Sequence, residues 1–546
     1  MFRPRYEIGI CIGILSFILI AGCSGTTKPG QSGPSPLAAG DASSSRTLAD
    51  ASPRAVSQSG SAESPSDNYG ILQAELRRIV KTAPHPEQIG ACVQEVDSSF
   101  VVFEHNGGSG FTPVSSQKLL TTAAALDILG SNYTYLTRAM CAGQMDGKTL
   151  RGNVILVGSG DPTIGGRLQP DPRDTTAVFR QMAADIRSLG IERIDGAVVG
   201  DNGFFDDERL QADWPDAERG EAYMAPVSAL SFNENCVDVF LEAGGFLSGG
   251  ATRCENAPTS NYYLFQNNVR TGDKKQPARV RFTRKAGANL IQVQGTIPRG
   301  STYHAKGAID NPTRYAATVF REVLLRQQID VTGAAALDMD DLKESAPRAA
   351  ETWPAAVHVS PPLSEIVSIT NHFNVNHYAE MLLKTIGRKK SGTGSFEAGC
   401  AAVEDFLSRR QLSGYSHDLR DGSGLSRRNS LSPRLVAELL KRMAEHGSQG
   451  VFADSLAKGG EPGVLRDRLG AARDHGAAAR IRAIAGSYAG CSDLAGYAVS
   501  AGGDRFAFVF LLNDPALSPE EAERLLDALA LAVSQSRILG ANAAGR

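Results

Sequence analysis

Four strand-like runs constrain this chain more than any other feature. Two stand near the start of its folded part, IGACVQEV (89–96) and SFVVFEH (99–105), and two near its end, LAGYAVSAG (494–502) and RFAFVFLLN (505–513). Strands need neighbours to satisfy their backbone groups, and a lone hairpin is barely stable in water. Helical patterns separate the two pairs, at roughly 361–386, 395–411 and 432–446, with a first helix in ILQAELRRIVK and a last one at 519–537. The pattern predicts one sheet built from both ends of the chain, with helices packed around it. The middle is rich in glycine turns and short strands such as NVILVG and GAVVG, with helices near 175–189 and at 313–328, and reads as an insertion.

The first residues have a different character. MFRPRYEIG is short and basic, ICIGILSFILI is apolar, and AGC closes with small residues, which is the order of an export signal. The ending IAGCS matches the lipobox of bacterial lipoproteins, which implies cleavage before Cys23 and acylation of that residue. Residues 24–68 hold almost no large apolar side chain, so they cannot bury enough surface to fold and read as a tether. The expected division is 1–22 signal peptide, 23–68 tether, 69–148 with 350–540 as one discontinuous domain, and 149–349 as the inserted part. An exported lipoprotein would sit on the periplasmic side of a membrane, the outer rather than the inner.

Net charge is −3, which gives no reason to expect a nucleic acid partner. No stretch beyond the N-terminus is long and apolar enough to span a bilayer. Six cysteines follow Cys23, and none of them joins a histidine at zinc spacing; no metal or cofactor is implied. In an oxidising compartment Cys236 and Cys254 are the favoured disulfide pair, because they bracket a strand–turn–strand pattern.

Chemistry enters at PVSSQKLL (113–120). Ser115 and Lys118 lie three apart at a helix start, so they share a face. Helix N-termini favour an alkoxide or oxyanion, and a lysine kept neutral could take the serine proton. The plain alternative is a capping serine and a solvated lysine. A second Ser-x-x-Lys, Ser455 and Lys458, sits in a glycine-flanked segment and reads as chance.

The surroundings decide between these readings. FTPVSSQKLLTTAAALDILG resembles the nucleophile segment of the D-alanyl-D-alanine carboxypeptidase/endopeptidases, the class C low-molecular-mass penicillin-binding proteins. Similarity continues through LRGNVILVGSGDPTI, GDNGFFDDERLQADWP, YMAPVSALSFNENCVDV, SPPLSEIVSITNHFNVNHYAEMLLKTIG and RDGSGLSRRNSLSP. The resemblance implies an α/β (α+β) fold, a serine β-lactamase/transpeptidase-like domain with helices around an antiparallel sheet, interrupted by a large mostly-β insertion. It also implies peptidoglycan stem peptides as substrates, cleaved through an acyl-Ser115 intermediate, and β-lactams that acylate the same serine.

In such proteins three motifs meet: Ser-x-x-Lys, Ser-x-Asn and Lys-Thr-Gly. The first matches at Ser115 and Lys118. The second falls on Asn374 and Asn376, where an amide replaces the opening hydroxyl and cannot shuttle a proton in the same way. The third falls on Ile484, Ala485 and Gly486, followed by Ser487, whose backbone N–H is expected to join that of Ser115 in an oxyanion hole. Loss of that lysine removes a charge-assisted contact worth about 1.5–3 kcal/mol. Arg482, two residues earlier on the same strand face, is a candidate replacement. The literal match Lys390-Ser391-Gly392 lies between helices, far from the expected strand. RDGSGLS reads as a structural turn at the edge of the site, and Trp214, Tyr223 and Asn233 as packing residues. The expectation is a serine DD-peptidase with a modified site; the alternative is a catalytically impaired relative that binds peptidoglycan or a partner through the same groove.

Overall fold

A computed structural model describes residues 69–537 apart from 99, 245–247, 334–336, 339–351, 471–474 and 489. The leader, Cys23 and the tether lie outside the described residues. Among those described, no helix is long and apolar enough to cross a membrane.

The sheet from both chain ends is present. Six antiparallel strands run in the order Ala457–Lys458, Ile481–Tyr488, Cys491–Val499, Arg505–Asn513, Ile89–Glu95 and Val101–His105. Both its faces are covered, and side-chain alternation sorts the residues between them. Phe506, Phe508 and Phe510 pack toward the helices Gly70–Thr82 and Pro519–Gln535, while Ala507, Val509 and Leu511 face the helices Gln117–Leu129 and Pro433–Ala444. Local chemistry fixes the helix starts: Ser395, Ser432 and Ser518 each accept an N–H of the first turn, the last in a capping box with Glu521.

The helix expected over 361–386 is two helices, Leu363–His372 and Asn376–Ser391. The break is Phe373–Val375, where Asn374 adopts φ 55°, a left-handed conformation that asparagine tolerates and a helix interior does not.

The inserted part is built on a seven-stranded sheet. Its strand Leu136–Asp146 pairs with Thr149–Val157 on one side and with Thr352–Val359 on the other. Strands at 136–146 and 352–359, which the sequence division gives to the discontinuous domain, therefore belong by pairing to the inserted sheet. Two three-stranded sheets complete it. Its core centres on Phe179, fully buried, stacked on Phe232 at 4.8 Å and against Phe320 at 5.2 Å.

The expected Cys236–Cys254 disulfide is absent. Strand register is the reason: Cys236 opens the strand Cys236–Glu242 opposite Ala308, whereas Cys254 lies opposite Leu241. Five residues of strand separate the two levels, about 17 Å. All six described cysteines are free thiols.

Truncating Phe179 would empty the centre of the inserted core. Phe179→Ala should lower stability by about 3–5 kcal/mol, read as a fall in the urea midpoint.

Candidate active site

The chain approaches the nucleophile helix through Val114-Ser115-Ser116, and one buried carboxylate sets its course. Asp493 accepts the Val114 N–H at 3.1 Å, the Ser116 N–H at 2.5 Å and the Ser116 hydroxyl. The N–H of Ser115, between them, makes no hydrogen bond among the described residues. A tight turn follows, with the Lys118 N–H on the Ser115 carbonyl at 3.0 Å. Neither serine hydroxyl caps the helix, so the capping alternative does not hold.

Ser115 and Lys118 line a cleft of about 320 Å³ together with Asn374, Asn376, Gly486 and Ser487. Six of the expected site residues thus meet. Gly486 passes so close to the nucleophile that a β-carbon there would collide with the Ser115 hydroxyl. This strand position requires glycine for space, not for φ.

Lys118 is fully enclosed, and its ammonium donates to the Ser423 carbonyl at 2.8 Å. Desolvation lowers its pKa to about 8, against the opposing pull of Asp493, Glu380 and Asp421. Glu380 itself is raised to about 8, chiefly by burial and then by the charge of Asp421, so near neutrality it is mostly protonated and pulls less on the lysine. Its oxygens take the Gly422 and Ser423 N–H groups at 2.9 and 2.8 Å, fixing the loop whose carbonyl holds Lys118.

The altered motifs take definite places. Asn374 donates to the Ala485 carbonyl at 3.2 Å, while its own buried amide oxygen has no partner. Asn376 starts the following helix and donates to the Tyr223 carbonyl at 3.2 Å. Ile484 lies fully buried in the apolar cluster of the middle helices, and Ala485 packs in the cluster on the other face of the sheet. Neither lines the cleft. Arg482 does not stand in for the missing lysine. It pairs with Asp454 at 3.4 Å and borders a separate depression with Val96 and Tyr497, two strand residues beyond Ile484.

Sequence reasoning missed several residues that the fold brings in. RDGSGLS is more than an edge turn. Asp421 accepts Trp214 Nε1 at 2.9 Å and the N–H groups of Gly424 and Ser426, and the loop brings Ser423, Gly424, Leu425 and Arg427 to the cleft. The inserted part adds Pro215, Glu218 and Tyr223, so Tyr223 is a wall residue rather than a packing one. Trp214 is buried as expected, and Asn233 bonds the Cys236 carbonyl and Asp238 from a left-handed turn. The contiguity of YMAPVSAL with other site segments was the available signal for Tyr223; nothing marked Glu218.

The two decoys are explained by their surroundings. Ser455 closes a short helix and donates to the Phe452 carbonyl, while Lys458 pairs with Glu461. Lys390 pairs with Asp405 on a helix that ends at Gly392 in the left-handed conformation.

Comparison with known proteins gives a consistent result. The model of the D-Ala-D-Ala carboxypeptidase 3 (S13) family matches residues 72–535. A D-alanyl-D-alanine carboxypeptidase of Actinomadura sp. is 28% identical over 460 residues, 80% of this chain and 81% of that protein. The D-alanyl-D-alanine carboxypeptidase DacB of Haemophilus influenzae is 23% identical over 438 residues, 80% of this chain and 87% of its own. The crystal structure of penicillin binding protein 4 (dacB) from Haemophilus influenzae superposes with a TM-score of 0.68 at 22% identity, over 84% of this chain and 97% of that one, and shares the fold. With a match that spans both halves of the discontinuous domain and the insertion between them, the chain belongs to the D-Ala-D-Ala carboxypeptidase 3 (S13) family.

Proposed function

We propose that this protein is a serine DD-peptidase that acts on peptidoglycan stem peptides through an acyl-Ser115 intermediate. One observation carries the reading: a serine that caps no helix and a desolvated lysine share an open cleft, and the serine's own N–H has no partner among the described residues. The relatives named D-alanyl-D-alanine carboxypeptidase support it, as does the solved Haemophilus influenzae protein complexed with a β-lactam.

In this reading the neutral Lys118 amine takes the Ser115 proton as Oγ attacks the carbonyl carbon of the penultimate residue. The oxyanion forms against the N–H groups of Ser115 and Ser487. The Lys118 ammonium returns that proton to the departing amine as the C–N bond breaks, and water then cleaves the ester, giving a carboxylic acid and restoring the Ser115 hydroxyl. Asn374 can hold the peptide but cannot relay that proton as a hydroxyl would. The departures at Asn374, Ile484 and Ala485 therefore favour slow turnover, and the impaired-relative reading rests on them. We further propose that Cys23 carries lipid and that the domain works at the periplasmic face of a membrane, reached through the tether.

The decisive experiment exposes purified full-length protein to fluorescent penicillin. Wild type should label covalently, Ser115→Ala should not label at all, and Lys118→Met should slow labelling by about 10²–10⁴-fold. Absence of wild-type labelling at high dose, with no D-Ala released from a pentapeptide, would refute the enzymatic reading.

The pH dependence has a fixed sign. Because the base must be neutral and its pKa is about 8, the acylation rate should level off above that pH. Below it the rate should fall about tenfold per pH unit. A profile flat from pH 5 to 9 would exclude Lys118 as the base. Gly486→Ala should slow labelling by about 100-fold, because the added methyl displaces the Ser115 hydroxyl from its attack position; unchanged kinetics would contradict the close approach.

A further inference from the structure

Beside the catalytic cleft lies a second one of about 530 Å³, and the two share Tyr223, Asn374 and Asn376 as a common wall. Its far side comes from the inserted part, with Arg167, Glu234, Asp238, His304 and Lys306. The charges are layered. The carboxylates lie deepest, with side chains only 8% (Glu234) and 2% (Asp238) exposed, whereas Arg167, Lys306 and His304 are 27%, 15% and 42% exposed. Buried anions hold the cations in place, and the cations face the opening.

Each of these three side chains is anchored by a buried carboxylate. Arg167 forms a two-pronged pair with Glu234 at 2.5 and 2.8 Å, and His304 bonds Asp238 at 2.6 Å. Lys306 pairs with both Glu234 at 3.2 Å and Asp238 at 3.6 Å, and part of its side chain stays open to the cleft. The buried carboxylates fix the ammonium at the cleft, and an N–H on its exposed side can bond a further carboxylate.

Two buried polar groups lie behind the wall of the cleft. His377, 3% exposed, has no partner at Nδ1. Its Nε2 lies 2.9 Å from the Ser231 hydroxyl, which is also 3.2 Å from the Asn235 amide oxygen. Burial keeps this ring neutral, its pKa lowered to about 4. The partnerless amide oxygen of Asn374 lies on the shared wall. Phe373, half exposed with Arg167 near its ring, forms the lip. Cations at the mouth of a cleft that adjoins the catalytic one match a carboxylate.

We propose that this second cleft is a subsite for the peptide beyond the scissile bond, with Lys306 and Arg167 receiving a carboxylate of the departing amino acid or peptide. The inference rests on the peptidase reading above. It gives the carboxylate a cationic partner on the inserted part, where position 484 of the central strand supplies none. Lys306 is a binding residue here and takes no part in proton transfer.

Equilibrium binding to full-length Ser115→Ala protein tests this independently of turnover. A peptide ending in D-Ala-D-Ala as the free acid should bind about tenfold more tightly than its carboxamide, as loss of a charge-assisted contact predicts. Adding Lys306→Gln should bring the two within twofold, and Lys306→Arg should retain most of the preference. Inorganic phosphate should compete with the acid and not with the amide. Equal binding of acid and amide would overturn the proposal, and so would a preference unchanged in Lys306→Gln. Phosphate binding that leaves peptide affinity untouched would also overturn it, as that of a site for some other anion. Penicillin labelling of the wild type separates the two levels: its absence defeats the catalytic reading, whereas these binding ratios judge the subsite alone.

Discussion

The site depends on the carboxylate of Asp493. It comes from the strand Cys491–Val499, reaches the segment before the nucleophile helix, and takes up the N–H groups on either side of Ser115. Burial raises its pKa, and the donors of Ser116 and Val114 together with the Lys118 charge oppose that rise. A buried carboxylate is costly unless several donors satisfy it. Here those donors are the backbone of the nucleophile turn, so the same contact that stabilises the charge fixes the serine against the sheet. It also leaves one amide, that of Ser115, without a partner among the described residues.

A second buried acidic side chain does similar work from the helix side. Glu380 binds the Gly422 and Ser423 amides, and the Ser423 carbonyl in turn holds the Lys118 ammonium. The lysine therefore sits where burial removes its solvation and where its hydrogen-bond partner is a neutral carbonyl. Those conditions lower its pKa despite three acidic neighbours. The departures from the usual motifs do not disturb this pair. Ile484 is packed into the core and Asn374 spends its amide donor on the sheet, so neither contacts the hydroxyl of Ser115 or the ammonium of Lys118.

The inserted part is tied to the site rather than appended to it. Trp214 and Gln211 bond the loop at 420–421, Asn376 bonds Tyr223, and the fully buried Lys384 bonds Asp206 and lies over the ring of Phe396. Such polar links work only when each partner is satisfied, and they hold Glu218 and Tyr223 at the cleft.

Much of this was legible in the residues. Period-two runs at both ends of the chain determined the central sheet, and serine caps with proline at the first helical position determined the helix starts. The spacing of Ser115 and Lys118, read with the family-like segments around them, pointed to the candidate nucleophile and to the partner positions that differ from the usual motifs. What only the tertiary structure decided is which distant groups meet. Asp493 is 377 positions from Ser116, and Trp214 is 207 from Asp421. The pairing of Arg482 with Asp454, the separation of Cys236 from Cys254 and the layered charges around Lys306 also depend on register and packing between segments. Local sequence encodes backbone preference and burial periodicity. Desolvation, long-range hydrogen bonding and the meeting of two clefts at Asn374 arise only when segments far apart in the chain exclude water from one another.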